Sequence, residues 1–343
     1  MKKKLLIIIP ALVLVIGLGV AGVLIIRNNK PEVEPEVIDD SISDGDWSID
    51  SLKEGSITAI DYKIIYSAYI PDIETARSEL RLYGIEQREK YDNDKVKKIE
   101  TQIEKKYGIY AVNLGEMDVA TAKDVRKAVA YMYKNYPILD DKLTNITLGN
   151  LDTFTSGHIA ITQYGEYIIN EDFGKCPVVV KHEIILGAAS FLNRERLLKT
   201  CSDGVESGHW PEGMDISTLV VHELGHQVLN AVSMEYYGFE HPYYVTEDTM
   251  DAFSDYIVDG LKDNQTVAKM VCEKAYERYL LKYEGESYED FATSISGYAK
   301  GVQADGGISY SETVAEAVAD VYLNKKKASY ASICITEILK EGL

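Results

Sequence analysis

The stretch VVHELGHQVL, residues 220–229, constrains this chain more than any other. His222 and His226 stand four residues apart, with Glu223 directly after the first. On an α-helix, positions i and i+4 share a face one turn apart. A helix here points both imidazoles the same way and turns Glu223 by about 100° around the axis. Leu219, Val220, Leu224 and Val228 supply apolar packing at helical spacing. Asp215 or Ser217 is placed to cap the helix N-terminus. Gly225, a weak helix residue, allows close approach of another backbone.

Two imidazoles a turn apart can each give a ring nitrogen to one zinc ion. Glu223 need not bind the metal itself; it can stand beside a zinc-bound water and accept its proton. HEIIL serves as an internal comparison. His182 and Glu183 begin the same motif, but Leu186 stands where the second histidine is needed, so that pair reads as structural. A zinc peptidase also needs a third protein ligand and an open position. The pattern H-E-x-x-H-x-x-G-x-x-H is not met, because Leu229 and Val232 occupy its Gly and His places. The other option is an acid from a later helix. In YSETVAEAVADVY, Glu312, Glu316 and Asp320 fall four apart on one face, among Ala315, Ala317, Val318 and Ala319. One carboxylate could bind zinc while the next orients a histidine by accepting its other N–H. TEDTMDAFSDYIVDG offers Glu247, Asp251 and Asp255 at the same spacing, so spacing alone leaves both sources open.

The rest of the chain frames this site. Residues 5–26 are 22 residues without a charge, preceded by Lys2, Lys3 and Lys4. At about 1.5 Å per residue that run spans a hydrocarbon core of about 30 Å. It is longer than a secretory signal's apolar region, and Gly19-Val20-Ala21 only weakly resembles a cleavage exit, so an uncleaved anchor is expected. The preceding lysines outweigh Arg27 and Lys30, which places the remainder outside the cytoplasm. Residues 31–51 hold eight acids, two prolines and no base, and read as an extended linker. A helical segment at about 72–107 follows, with Val96, Ile99, Ile103 and Tyr107 at three- and four-residue spacing. DVATAKDVRKAVAYMYKNYP predicts a helix stopped by Pro137. TNITLGNL, GHIAITQY, EYIIN and CPVVVKHEIIL read as short strands, and the chain after Asp215 is mostly helical. Strands first and helices later predict α+β, not an alternating parallel sheet. The expected divisions are an anchor at 1–30, an acidic linker at 31–60, a helical region at 61–114 and the main domain at 115–343. With 36 Lys+Arg against 55 Asp+Glu, the formal charge of −19 disfavours nucleic acid as a partner. Four cysteines without a C-x-x-C read as isolated buried thiols or as a pair such as Cys176 with Cys201.

VVHELGHQV, then ISGYA, then SETVAEAVAD resembles the zincin domain of the anthrax lethal factor and Pro-Pro endopeptidase kind of peptidase. YIIN followed by GHWPEGMD, ahead of the motif helix, resembles that family's approach to its site. The likeness covers residues 115–343. It implies a zincin-like α+β domain holding one zinc ion, with His222 and His226 as ligands and Glu223 as the base. It implies Glu312 as third ligand, Glu316 as a supporting carboxylate and Tyr298 as a donor to the developing oxyanion. KGVQADGGISYS looks like an insertion between Tyr298 and Glu312, which leaves Tyr310 as a substitute for Tyr298. The whole then reads as a membrane-anchored extracytoplasmic zinc endopeptidase acting on peptide or protein substrates. The alternative is a non-catalytic zinc-binding surface protein that retains the same fold.

Overall fold

The computed structural model describes residues 93–143, 145–149, 160–164, 182–238, 266–300 and 308–343. The apolar run 5–26, the acidic stretch 31–51, the helical expectation for 72–92, the strand expected in EYIIN, Cys176 and the acids at 247, 251 and 255 lie outside them. No helix of the described residues is long and apolar enough to cross a membrane.

Helix α1 (Asp94–Tyr107) opens on Asn93, whose side chain accepts from the amides of Lys95 and Val96, and closes on Gly108 at φ +68°. Its buried face carries Val96, Ile99 and Ile103, as the spacing predicts. Strand β1 (Ala111–Asn113) follows at once. Helix α2 (Val119–Asn135) is capped by Asp118 and ends at Tyr136, directly before Pro137. Strands β2 (Asn145–Gly149), β3 (Ala160–Tyr164) and β4 (His182–Gly187) complete a four-stranded sheet of order β1-β2-β4-β3.

The described residues form an α+β fold, as expected, but the sheet corrects one detail of that expectation. β1 pairs parallel with β2, and β2 parallel with β4; among the described strands only the edge strand β3 runs antiparallel. The architecture is mixed, with helices around a largely parallel small sheet. β1-α2-β2 is a crossover unit that the sequence did not advertise, because a strand of three residues is too short to show alternation.

Beyond β4 come the short helix α3 (Ala188–Phe191), α4 (Arg194–Glu206) and the long helix α5 (Ile216–Tyr236). Helices α6 (Thr266–Leu280), α7 (Tyr288–Thr293), α8 (Tyr310–Asn324) and α9 (Tyr330–Glu341) follow. Every residue of α5 from Ile216 to Met234 is buried, so this helix lies at the centre of the fold and not along its surface. It packs against α2, β3 and α8, and α8 in turn packs against α6 and α9. α1 and β1 join the same hydrophobic core through Val96, Ile99, Ile103 and Val112. Cys201, Cys272 and Cys334 are free and buried; a pairing that involves Cys176 lies outside the described residues. Burial pushes the Cys201 and Cys272 thiols up to about 12, which leaves them protonated and unreactive.

Candidate metal centre

Helix α5 begins with a reciprocal cap. The Asp215 carboxylate accepts from the Thr218 amide at 2.8 Å, and the Asp215 amide donates to Thr218 Oγ1 at 3.5 Å. Two turns on, Gly225 lets α8 approach. A Cβ at Gly225 would stand 3.0 Å from Ala315 Cα and 3.4 Å from Val318 Cβ. This close crossing brings Glu312 and Glu316 of α8 beside the two histidines of α5.

Three side chains then converge. His222 Nε2 lies 3.2 Å from His226 Nε2 and 3.3 Å from Glu312 Oε2. His226 Nε2 lies 3.7 Å from the same Glu312 oxygen. All three residues are buried, and one ligand atom from each lies within 4.8 Å of the others. Glu312 Oε2 is nonetheless without a hydrogen-bond partner of good geometry. Leaving a buried carboxylate oxygen unsatisfied costs free energy, and a cation between these atoms removes that cost. Two imidazole nitrogens and one carboxylate oxygen match the donor set of a three-ligand zinc site with a fourth position open. The residues present therefore fit a metal ion.

Behind the cluster runs a chain of polar contacts. His222 Nδ1 lies 2.8 Å from Glu316 Oε1. Ser296 Oγ donates to Glu316 Oε2 at 2.7 Å, and the Ala299 amide donates to Ser296 Oγ at 2.9 Å. A carboxylate this close to Nδ1 favours the tautomer that carries its proton there and leaves the Nε2 lone pair toward the cluster. Asp320, the third acid of the α8 stripe, has another task. It accepts from the Ser329 amide at 2.9 Å and from Ser332 Oγ at 2.6 Å, tying the start of α9 to α8.

The electrostatics agree with this arrangement. Burial by itself opposes ionisation of Glu312, but the imidazoles of His226 and His222 outweigh it and hold the carboxyl down at about 2. Burial likewise opposes the charged form of His222, and Glu312 and Glu316 together raise it well above the usual imidazole value. A cation bound among these atoms would take over the role of that proton.

Tyr298 faces the cluster. Its ring centroid lies 6.0 Å from that of His222. Burial raises its phenol far above the ordinary value, and the carboxylates of Glu312, Glu316 and Glu223 raise it further, so the hydroxyl stays protonated and can donate. The loop holding it is tightly fixed. The Tyr298 amide donates to the His209 carbonyl at 3.1 Å, and the His209 ring lies 4.7 Å from the Tyr298 ring. A Cβ at Gly297 would meet the Gly208 carbonyl oxygen at 2.4 Å, so only glycine fits there. Tyr310 sits elsewhere, with its ring 5.7 Å from that of Tyr288.

His182 and Glu183 lie buried in β4 and are not part of the metal group. Burial, with a smaller contribution from Lys142, lowers His182 to about 3, so it is neutral. Sequence reasoning missed Ser296 and His209, since neither belongs to a periodic pattern. The only trace of them is in the short strings ISGYA and GHWPEGMD. No family model, curated protein or solved structure matches this chain.

Proposed function

We propose that this chain is a zinc-dependent endopeptidase whose centre is His222, His226 and Glu312. One observation carries the reading: these three buried ligand atoms gather within 4.8 Å of one another, and the buried Glu223 directly follows the first of them in the H-E-x-x-H pattern. A zinc ion held there supplies Lewis-acid polarisation of a carbonyl and activation of water near neutral pH.

The chain's own residues supply the rest. His222 and His226 present neutral Nε2 lone pairs, and Glu316 fixes the His222 tautomer from behind. Glu223 accepts a proton from the attacking water and delivers it to the departing amine nitrogen, which restores the carboxylate at the end of each turnover. Tyr298, held protonated by its surroundings, donates a hydrogen bond to the oxygen on which negative charge develops. Burial of the cluster on α5 and α8 keeps bulk water from competing with these donors. The resemblance to the lethal factor and Pro-Pro endopeptidase kind of zincin supports the same roles. The uncharged run 5–26 supports a membrane anchor with this domain outside the cytoplasm.

The test is cleavage of a peptide library by the purified protein beside its Glu223→Gln variant. The proposal expects both to hold one zinc and turnover to fall by about 10²- to 10⁴-fold in the variant. Undiminished turnover removes Glu223 from its role. Bound zinc with no cleavage of any peptide by the native chain favours the non-catalytic zinc-binding reading.

A further inference from the structure

Between α1 and α2 runs a groove of about 1010 Å³ lined by seven bases and a single acid, Asp94. That concentration of positive charge is unexpected in a chain whose formal charge is −19. Its origin lies in how the two helices sort their charges. α1 turns two of its three acids inward: Glu100 Oε1 accepts from the Leu114 amide at 2.6 Å, and Glu104 Oε1 from the Val112 amide at 3.1 Å. α2 sends its acid the other way, since Asp124 pairs with Arg194 at 2.6 Å. Apart from Asp94, the carboxylates of both helices are thereby committed elsewhere, and the bases are left facing one another.

Three of those bases have partners among the described residues. Arg126 donates to Gln102, and Lys127 reaches Asp215 at 3.8 Å. Lys106 lies over the Tyr107 ring at 5.1 Å. Among the described residues, Lys97, Lys98, Lys105 and Lys123 make no ion pair. Like charges lining one groove, within about a Debye length of each other, raise its potential and draw in a polyanion. An elongated cleft between two helices suits an extended chain better than a compact ion.

We propose that this groove is a docking site for acidic polypeptide and that its occupant is the chain's own stretch 31–51. That stretch carries eight acids and no base. Being covalently attached, it meets the groove at an effective concentration on the order of millimolar. The 41 residues from 52 to 92 can reach roughly 140 Å, so the connection sets no geometric bar. Docking has a positional consequence. Only residues 27–30 separate the uncharged run from the acidic stretch. The α1–α2 face would then sit within roughly 17 Å of the end of that run. The groove thus shortens the tether and orients the domain, independently of whether the metal centre is catalytic.

The experiment is lysine footprinting on the full-length protein with a water-soluble acetylating ester, read by mass spectrometry. Lys326, exposed and not among the groove's lining residues, is the internal reference. A second chain carries amides at all eight acids of 31–51. The proposal expects Lys97, Lys98, Lys105 and Lys123 to react several-fold more slowly in the native chain than in the amide variant, with protection fading in half-molar salt. Carbodiimide crosslinks from these lysines should lead to acids within 31–51 of the same chain, as mixing with isotope-labelled chain can show. Equal reactivity in both chains overturns the proposal. So does protection that survives in the amide variant, or crosslinks to another acidic stretch, a second copy or added anionic vesicles.

Discussion

At the scale of single residues, the site divides into groups that hold and groups that act. Glu316 only holds: it touches His222 and takes a hydrogen bond from Ser296, while the cluster itself is closed by Glu312. Glu316→Gln should therefore keep the fold and weaken zinc binding by about 10- to 100-fold, measured by competition with a chelator. An unchanged affinity would mean that His222 needs no support. His182 makes a separate prediction. Its folded value of about 3 lies below the ordinary 6.5, so the unfolded chain takes up a proton that the folded one resists. Stability is full above 6.5 and is lost as pH falls from there toward 3. At pH 5 the loss is of order 2 kcal/mol. Urea titrations at pH 7 and pH 5 on the native chain and on His182→Gln should show a steeper loss in the native chain. Equal losses would contradict the burial argument.

At the scale of elements, the centre depends on how closely α8 lies on α5. Gly225 is the contact point, with Ala315 Cα at 3.0 Å from where a Cβ would stand. Backbone cannot yield as a side-chain tip can. Gly225→Ala should therefore destabilise by about 1–3 kcal/mol, in spite of alanine's better helix propensity, and displace the Glu312 and Glu316 carboxylates from the histidines. Chemical denaturation measures the first effect and zinc affinity the second; a more stable variant would show that the helices separate freely. The sequence made much of this scale readable. The apolar spacing on α5, the glycine within it and the acidic stripe on α8 each have a physical meaning that needs no structure. Choosing Glu312 as the cluster's third member is different, because it depends on which helix crosses α5, and spacing on one helix says nothing of its neighbour. Ser296 and Tyr298 come from a loop fixed by backbone contacts to residues 208 and 209. Such contacts leave no periodic trace. The parallel pairing of β1 was hidden for the opposite reason, since three residues are too few to carry a period.

At the scale of the whole molecule, two helices distant in sequence must both fold before the centre exists, so metal binding and folding are linked. Two regions of opposite character result. One is the buried, acid-rich cluster where α8 crosses α5. The other is the basic groove between α1 and α2, whose charge arises because all but one of the acids of its own helices are turned elsewhere. A net charge of −19 describes neither, which is why composition alone excluded some partners and could not suggest an acidic one. The claim on which the account rests is that His222, His226 and Glu312 together grip one divalent ion. Elemental analysis of the native protein and of His222→Ala, His226→Ala and Glu312→Gln, after zinc loading and desalting, tests it most directly. The account predicts one zinc per native chain and far less in each variant. A native chain that stays empty after loading, or a Glu312→Gln chain that keeps its full zinc, would contradict it.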